Sequence, residues 1–178
     1  GNLSFDPLKD IQAVARECEM IIMFAGTHPY WEIEGEDRDS LQLPVHMVRL
    51  IEECSRFCKK TVIVTQTGAA FAPFMRLVQP NAHVHMWFAG EGGGRAIAET
   101  LFGINNPNGK LPVTFMKEIN PDVTFCADGR YMDYKDGLFV GYRYYDQHPE
   151  LVGEPLGYLI LDGVQYTNSQ GKTAGAQT

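Results

Sequence analysis

Long apolar runs are missing from this sequence, and none approaches the roughly 20 residues that a membrane helix needs. Basic clusters are missing too: 15 Lys and Arg stand against 22 Asp and Glu, a formal net charge of −7. That balance leaves no electrostatic footprint for nucleic acid, so neither nucleic acid nor a membrane is an expected partner. Cysteine is scarce. Cys18, Cys54, Cys58 and Cys126 are too few and too scattered for a disulfide scaffold and include no Cys-x-x-Cys pair. A serine-hydrolase elbow of the Gly-x-Ser-x-Gly type is absent, as is a complete P-loop. Gly1-Asn2-Leu3-Ser4-Phe5-Asp6-Pro7 is not a charged n-region followed by an apolar h-region, and the first residue is not Met. The expectation is a part of something longer, cytoplasmic or secreted. What is present is 178 residues with 44% hydrophobic content, enough for one sizeable core.

Helical and strand patterns alternate along the chain. Leu8, Ile11, Val14 and Ala15 recur at helical spacing from Pro7 to about Glu19, with Asp6 as the N-cap. Met20 to Phe24 is a short apolar run closing at Ala25-Gly26, and Thr61-Val62-Ile63-Val64-Thr65 is rich in β-branched residues. Both read as buried strands. Between them Val45, Val48, Leu50 and Ile51 mark a helix from Pro44 to Lys59-Lys60, which completes a strand, helix, strand unit with a parallel pair. A helix over Phe71 to Val78, a third strand over 84–89 and a helix from Glu91 to about Phe102 follow. Leu111 to Phe115 is a fourth strand candidate, at an edge because of Pro112. Arg130 to Asp146 reads as ordered loop, and the small polar residues from Ser169 onward as a frayed tail. The fold class is α/β, a three-layer α/β sandwich with a mainly parallel sheet.

The richest chemistry lies in Trp31-Glu32-Ile33-Glu34-Gly35-Glu36-Asp37-Arg38-Asp39-Ser40-Leu41, on the loop that leaves the first strand. Ligands of parallel sheets bind outside the carboxyl ends of the strands, so a carboxyl group here is well placed for acid/base work. A solvated acidic loop paired locally with Arg38 is the plainer reading of the same residues. The run Gly92-Gly93-Gly94 before Arg95 offers a helix start that suits an anion or nucleotide, or simply a tight turn with close packing. Cys54 and Cys58 share a helix face and His83 and His85 a strand face, but neither pair has the further ligands a metal site requires. No metal and no cofactor is expected.

Taken in order, the motifs resemble one family, the C-terminal α/β-sandwich domain of glycoside hydrolase family 3, which contains β-glucosidases and β-xylosidases. The resemblance is carried by Phe24-Ala25-Gly26 with the acidic loop through Pro44, by Val62-Ile63-Val64 leading to Thr67-Gly68, and by Trp87-Phe88-Ala89-Gly90-Glu91-Gly92-Gly93 through Gly103. Asn106 to Phe115 and Gly137 to Asp146 complete it. Residues 1–168 then form the domain and 169–178 a flexible tail. The acidic loop is most similar to that of β-glucosidases with an extra β-rich module inserted upstream, which implies a sheet lacking an early strand. Two departures stand out: Thr67-Gly68-Ala69-Ala70 lacks a Pro common after that glycine, and Glu154 to Tyr166 lacks the usual aromatic-Pro-Phe-Gly stretch.

The resemblance implies a retaining mechanism with two carboxyl groups. One is an Asp in a separate N-terminal barrel domain, absent here, which attacks the anomeric carbon. The other is the acid/base, which aligns with Glu34, with Glu32 as runner-up two residues earlier. Trp31 suits the wall of a sugar subsite or, equally, a cover for the strand end. Arg38 is a substrate-binding candidate that could instead hold the loop. Tyr142, Arg143, Tyr144 and Tyr145 carry no implied catalytic role and are expected to scaffold the cleft. The implied substrate is a terminal β-linked glucoside or oligosaccharide, and this chain alone is expected to be inactive.

Overall fold

The computed structural model describes residues 7–36, 38, 40–72, 78, 80–118, 135–154, 166–167 and 173–174. Three strands, β1 (Ile21–Gly26), β2 (Thr61–Gln66) and β3 (Ala82–His85), form one parallel sheet in the order β1-β2-β3. Ile21 pairs with Thr61 and Val64 with Val84, so all three strands end along the same edge. Helix α1 (Pro7–Glu17) and helix α2 (Val45–Phe57) pack together, tied by Gln12 Nε2 donating to Glu53 Oε2 at 2.9 Å. The crossover through α2 between β1 and β2 is the strand, helix, strand unit expected from the sequence. No helix among the described residues is long and apolar enough to cross a membrane.

Strand alternation divides the sheet into two unlike faces. Met23, Ala25 and Ile63 point into the core, where they meet Ile51 and Cys54 of α2 together with Leu43, Phe71, Leu111 and Phe115. Burying a ring of that size stabilises by about 2–3 kcal/mol, and both phenylalanines are covered almost completely. On the opposite face Ile22 and Phe24 are 42% and 56% exposed, although Val64 beside Phe24 is fully buried. Parallel sheets are ordinarily covered on both faces. Among the described residues, β1 also has one unpaired edge.

Several elements differ from the sequence reading. The third strand ends at His85, not at 89, because Trp87 adopts a φ of 54°, which breaks the extended run. Helix α3 (Gly93–Leu101) starts within the glycine run. Instead of a strand over 111–115, only Phe115–Met116 (β4) is extended, and it pairs antiparallel with β5 (Val152–Glu154) in a separate two-stranded sheet. The section expected to be loop contains helix α4 (Tyr142–Gln147), followed by a single 3₁₀ turn, Pro149–Leu151. Tyr145 is buried there, and its hydroxyl lies 3.0 Å from Met116 Sδ, which docks α4 on β4. Thr173–Ala174 (β7) pairs with Tyr166–Thr167 (β6). Asp6, the core of the 71–78 helix, Cys126 and the start of the 130–146 section lie outside the described residues.

Candidate active site

The loop from Thr27 to Leu41 leaves β1 at the carboxyl edge of the sheet and runs beside the segment that leaves β2. Its path is set by two consecutive tight turns. In the first, the N–H groups of Trp31 and Glu32 donate to the carbonyl of His28 at 2.7 and 3.2 Å. The second closes through the Glu36 N–H on the Ile33 carbonyl at 3.3 Å. Glu34 and Gly35 are the corners of this second turn. Gly35 has a φ of +90°, with nothing near the place a Cβ would take, so the left-handed backbone alone demands glycine.

Four bonds lace this loop to residues 66–72. Thr27 N–H donates to Gln66 O at 3.2 Å, and Gly68 N–H donates to the Glu32 carboxylate at 2.9 and 3.2 Å. Arg38 Nη2 donates to Ala70 O at 3.1 Å, and Ala72 N–H to Leu41 O at 2.7 Å. Glu32 also accepts from the Thr27 hydroxyl at 2.7 Å. A Cβ on Gly68 would collide with Glu32 Oε2 and lie 2.6 Å from the Phe88 ring, so both side chains would have to shift to admit one.

The two carboxylates that the sequence could not separate therefore differ. Glu32 is partly covered and its carboxylate is engaged by a backbone N–H and a hydroxyl, whereas Glu34 is exposed at the turn corner with no hydrogen bond among the described residues. Arg38 is half-buried; its Nη2 holds a backbone carbonyl and its Nη1 is covered without a partner among the described residues. Trp31 is half-buried with its ring N–H likewise covered and unpartnered there. Glu36 is exposed, and Asp37 lies outside the described residues. Sequence reasoning did not single out Thr27 or the Gly68 N–H. The available signal was a glycine just past a strand end, where close backbone approach is common.

Beneath this edge, the Thr65 hydroxyl sits 2.8 Å from His83 Nε2 and 2.9 Å from His85 Nδ1. His85 packs against Trp87, with ring centroids 4.4 Å apart, and against Phe115 at 5.3 Å. Burial pushes the His83 pKa down to about 3, helped by His85, and that of His85 to about 4. Both rings are thus neutral at physiological pH. Among the described residues no cluster of three or more metal-ligating side chains occurs. At the start of α3, a Cβ on Gly93 would run into the Ala89 side chain, so close packing accounts for a glycine there.

A parallel sheet with a helical crossover and a loop at the carboxyl edge of its strands places this chain among α/β domains, in which ligands bind at that edge. Residues 6–142 match the model of the glycosyl hydrolase family 3 C-terminal domain, and the chain belongs to that family. Beta-glucosidase B of Emericella nidulans is 37% identical, covering 91% of this chain and 21% of that protein. An exo-alpha-(1->6)-L-arabinopyranosidase of Bifidobacterium breve is 32% identical over 86% of this chain and 21% of its own length. In crystal structures, the beta-glucosidase of Kluyveromyces marxianus, at 30% identity, superposes with a TM-score of 0.81 over 92% of this chain and 20% of that one. The chain thus spans about a fifth of the length of the curated relatives it matches.

Proposed function

We propose that this chain is the acid/base half of a retaining β-glucosidase-type active site, with Glu34 as the acid/base and the nucleophile Asp in an N-terminal barrel domain of the whole enzyme. The observation that carries the reading is the contrast between the two carboxylates, Glu32 occupied by loop bonds and Glu34 presented at a turn corner. In the first step Glu34 gives its proton to the glycosidic oxygen as the C–O bond breaks and the nucleophile carboxylate bonds to the anomeric carbon. In the second, Glu34 takes a proton from water, which displaces that carboxylate.

The substrate class follows from the relatives. One is named a beta-glucosidase and another an arabinopyranosidase. An α-L-arabinopyranoside and a β-D-glucoside both carry the leaving group equatorially, so one acid placement serves both. The substrate assigned to this enzyme is a terminal β-D-glucoside. Trp31, beside the acid in sequence, offers an aromatic face to the sugar, and Arg38 holds the loop that presents it.

The test is Glu34→Gln in an intact enzyme containing this domain. Loss of a general acid costs about 10²–10⁴-fold and falls hardest on poor leaving groups. Hydrolysis of a natural disaccharide should therefore drop far more than that of an activated aryl glucoside, and azide should restore turnover of the activated substrate by Glu34→Ala. Equal slowing of both substrates, or no azide rescue, would remove Glu34 from the role.

A further inference from the structure

We propose that Glu32 is a positioning residue for the reaction, acting through Glu34, and this rests on the reading of Glu34 given above. Glu32 lies at the junction of the two turns: its N–H completes the first on His28, and the residue after it opens the second, which presents Glu34. Its side chain is held from two elements. The Thr27 hydroxyl donates to Oε1 from the end of β1, and the Gly68 N–H donates to the carboxylate from the end of β2, 36 residues away in sequence. Phe88, from the loop after β3, closes over Gly68. One carboxylate thus ties together what leaves two adjacent strands, under a ring supplied from beyond the third.

The second mount, Arg38 on Ala70, grips the same segment two residues further along. Glu34 lies in sequence between these mounts, which are the nearest side-chain anchors on either side of its turn. Without the Glu32 carboxylate, the nearest bond to the β2 exit segment on the N-terminal side of the 33–36 turn is Thr27 N–H on Gln66 O, seven residues before Glu34. A general acid displaced by about 1 Å loses on the order of 10²-fold, because proton transfer depends steeply on distance and angle. The damage falls on the step that needs the proton. Binding of the sugar ring, which uses other groups, stays close to normal.

The experiment uses the full-length enzyme and compares Glu32→Ala, Glu32→Gln and Glu34→Ala on a natural disaccharide and an activated aryl glucoside. Glu32→Ala should lower kcat on the disaccharide by roughly 10- to 100-fold with KM within about threefold, and should lower kcat on the activated substrate much less. Glu32→Gln keeps an oxygen acceptor for the Gly68 N–H and should recover most of that loss. Azide should rescue Glu34→Ala and leave Glu32→Ala unchanged, since the latter still has its acid/base carboxylate. If Glu32→Ala slows both substrates equally, or matches the parent on both, the positioning role is overturned while Glu34 stands. If azide rescues Glu32→Ala and not Glu34→Ala, the assignment of Glu34 itself fails and Glu32 is the acid/base. Should Glu32→Ala not fold, Thr27→Val decides: a larger loss on the disaccharide than on the activated substrate supports the role, and equal losses overturn it.

Discussion

The two histidines on β3 make the stability of this domain steeply dependent on pH. His83 is buried and His85 largely so, and burial holds their pKa values near 3 and 4 against an ordinary 6.5. A depressed pKa means that the folded chain binds fewer protons than the unfolded one. The stability this represents is fully present above about pH 6.5 and is lost as the pH falls through the window down to 4 and then 3. Each fully buried neutral histidine is worth about 1.4 kcal/mol per pH unit within that window, so His83 withdraws about 2 kcal/mol between pH 7.5 and pH 5. His85 is less enclosed, and about half that amount is a fair allowance for solvent screening. The pair together then costs about 3 kcal/mol by pH 5, a large share of a typical 5–15 kcal/mol. Urea unfolding of the 178-residue chain at steps from pH 7.5 to 5, beside the His83→Gln/His85→Gln double variant, measures it directly. Carboxylates contribute alike to both proteins, so the difference in slope isolates the pair. Parallel slopes, or imidazole NMR signals of His83 and His85 themselves that titrate near pH 6.5 in the folded chain, would refute the reasoning.

Two further outcomes are expected. The pure 178-residue chain should show no turnover of aryl β-glucosides, measured by release of the aryl group; robust hydrolysis abolished by substituting an Asp within these residues would overturn the two-domain account. Phe115→Ala should destabilise by about 3–5 kcal/mol in denaturant melts, because it removes a fully buried ring that packs edge-on against Phe71 at 5.1 Å and Trp87 at 5.8 Å.

Local chemistry explains which parts were legible in the sequence. β1 and β2 are dense in apolar and β-branched residues, a strand pattern, although β1, expected to be buried, is covered only on the face of Met23 and Ala25. The strand composition of Val84-His85-Met86-Trp87-Phe88 predicts a β3 longer than the one observed, and the left-handed Trp87, whose ring packs on His85 and Phe115, carries no local signal. Helix α4 escaped because three of the four residues Tyr142-Arg143-Tyr144-Tyr145 are tyrosines, which favour strands, and a tertiary contact from Tyr145 to Met116 docks it. Phe115 was recognised as extended, but its partner, β5, lies nearly forty residues on and antiparallel. At the candidate site, the position of the acidic loop followed from strand order alone. The contact that sets Glu32 apart from Glu34 in the fold runs through Gly68, whose place just past a strand end hints at close approach but does not say which loop approaches it.

The bare face of β1 bears on how this unit can be handled. Ile21-Ile22-Met23-Phe24-Ala25 carries no charge and no proline, has an open hydrogen-bonding edge among the described residues, and leaves Ile22 and Phe24 about half exposed. Such a segment templates the addition of foreign strands and is a recognised seed of aggregation. Glu19 flanks the segment two residues before Ile21, but on the other side the next charge is Glu32, six residues past Gly26. Lysine at position 22, on the face opposite the core, would interrupt the seed while leaving Met23 and Ala25 in their places.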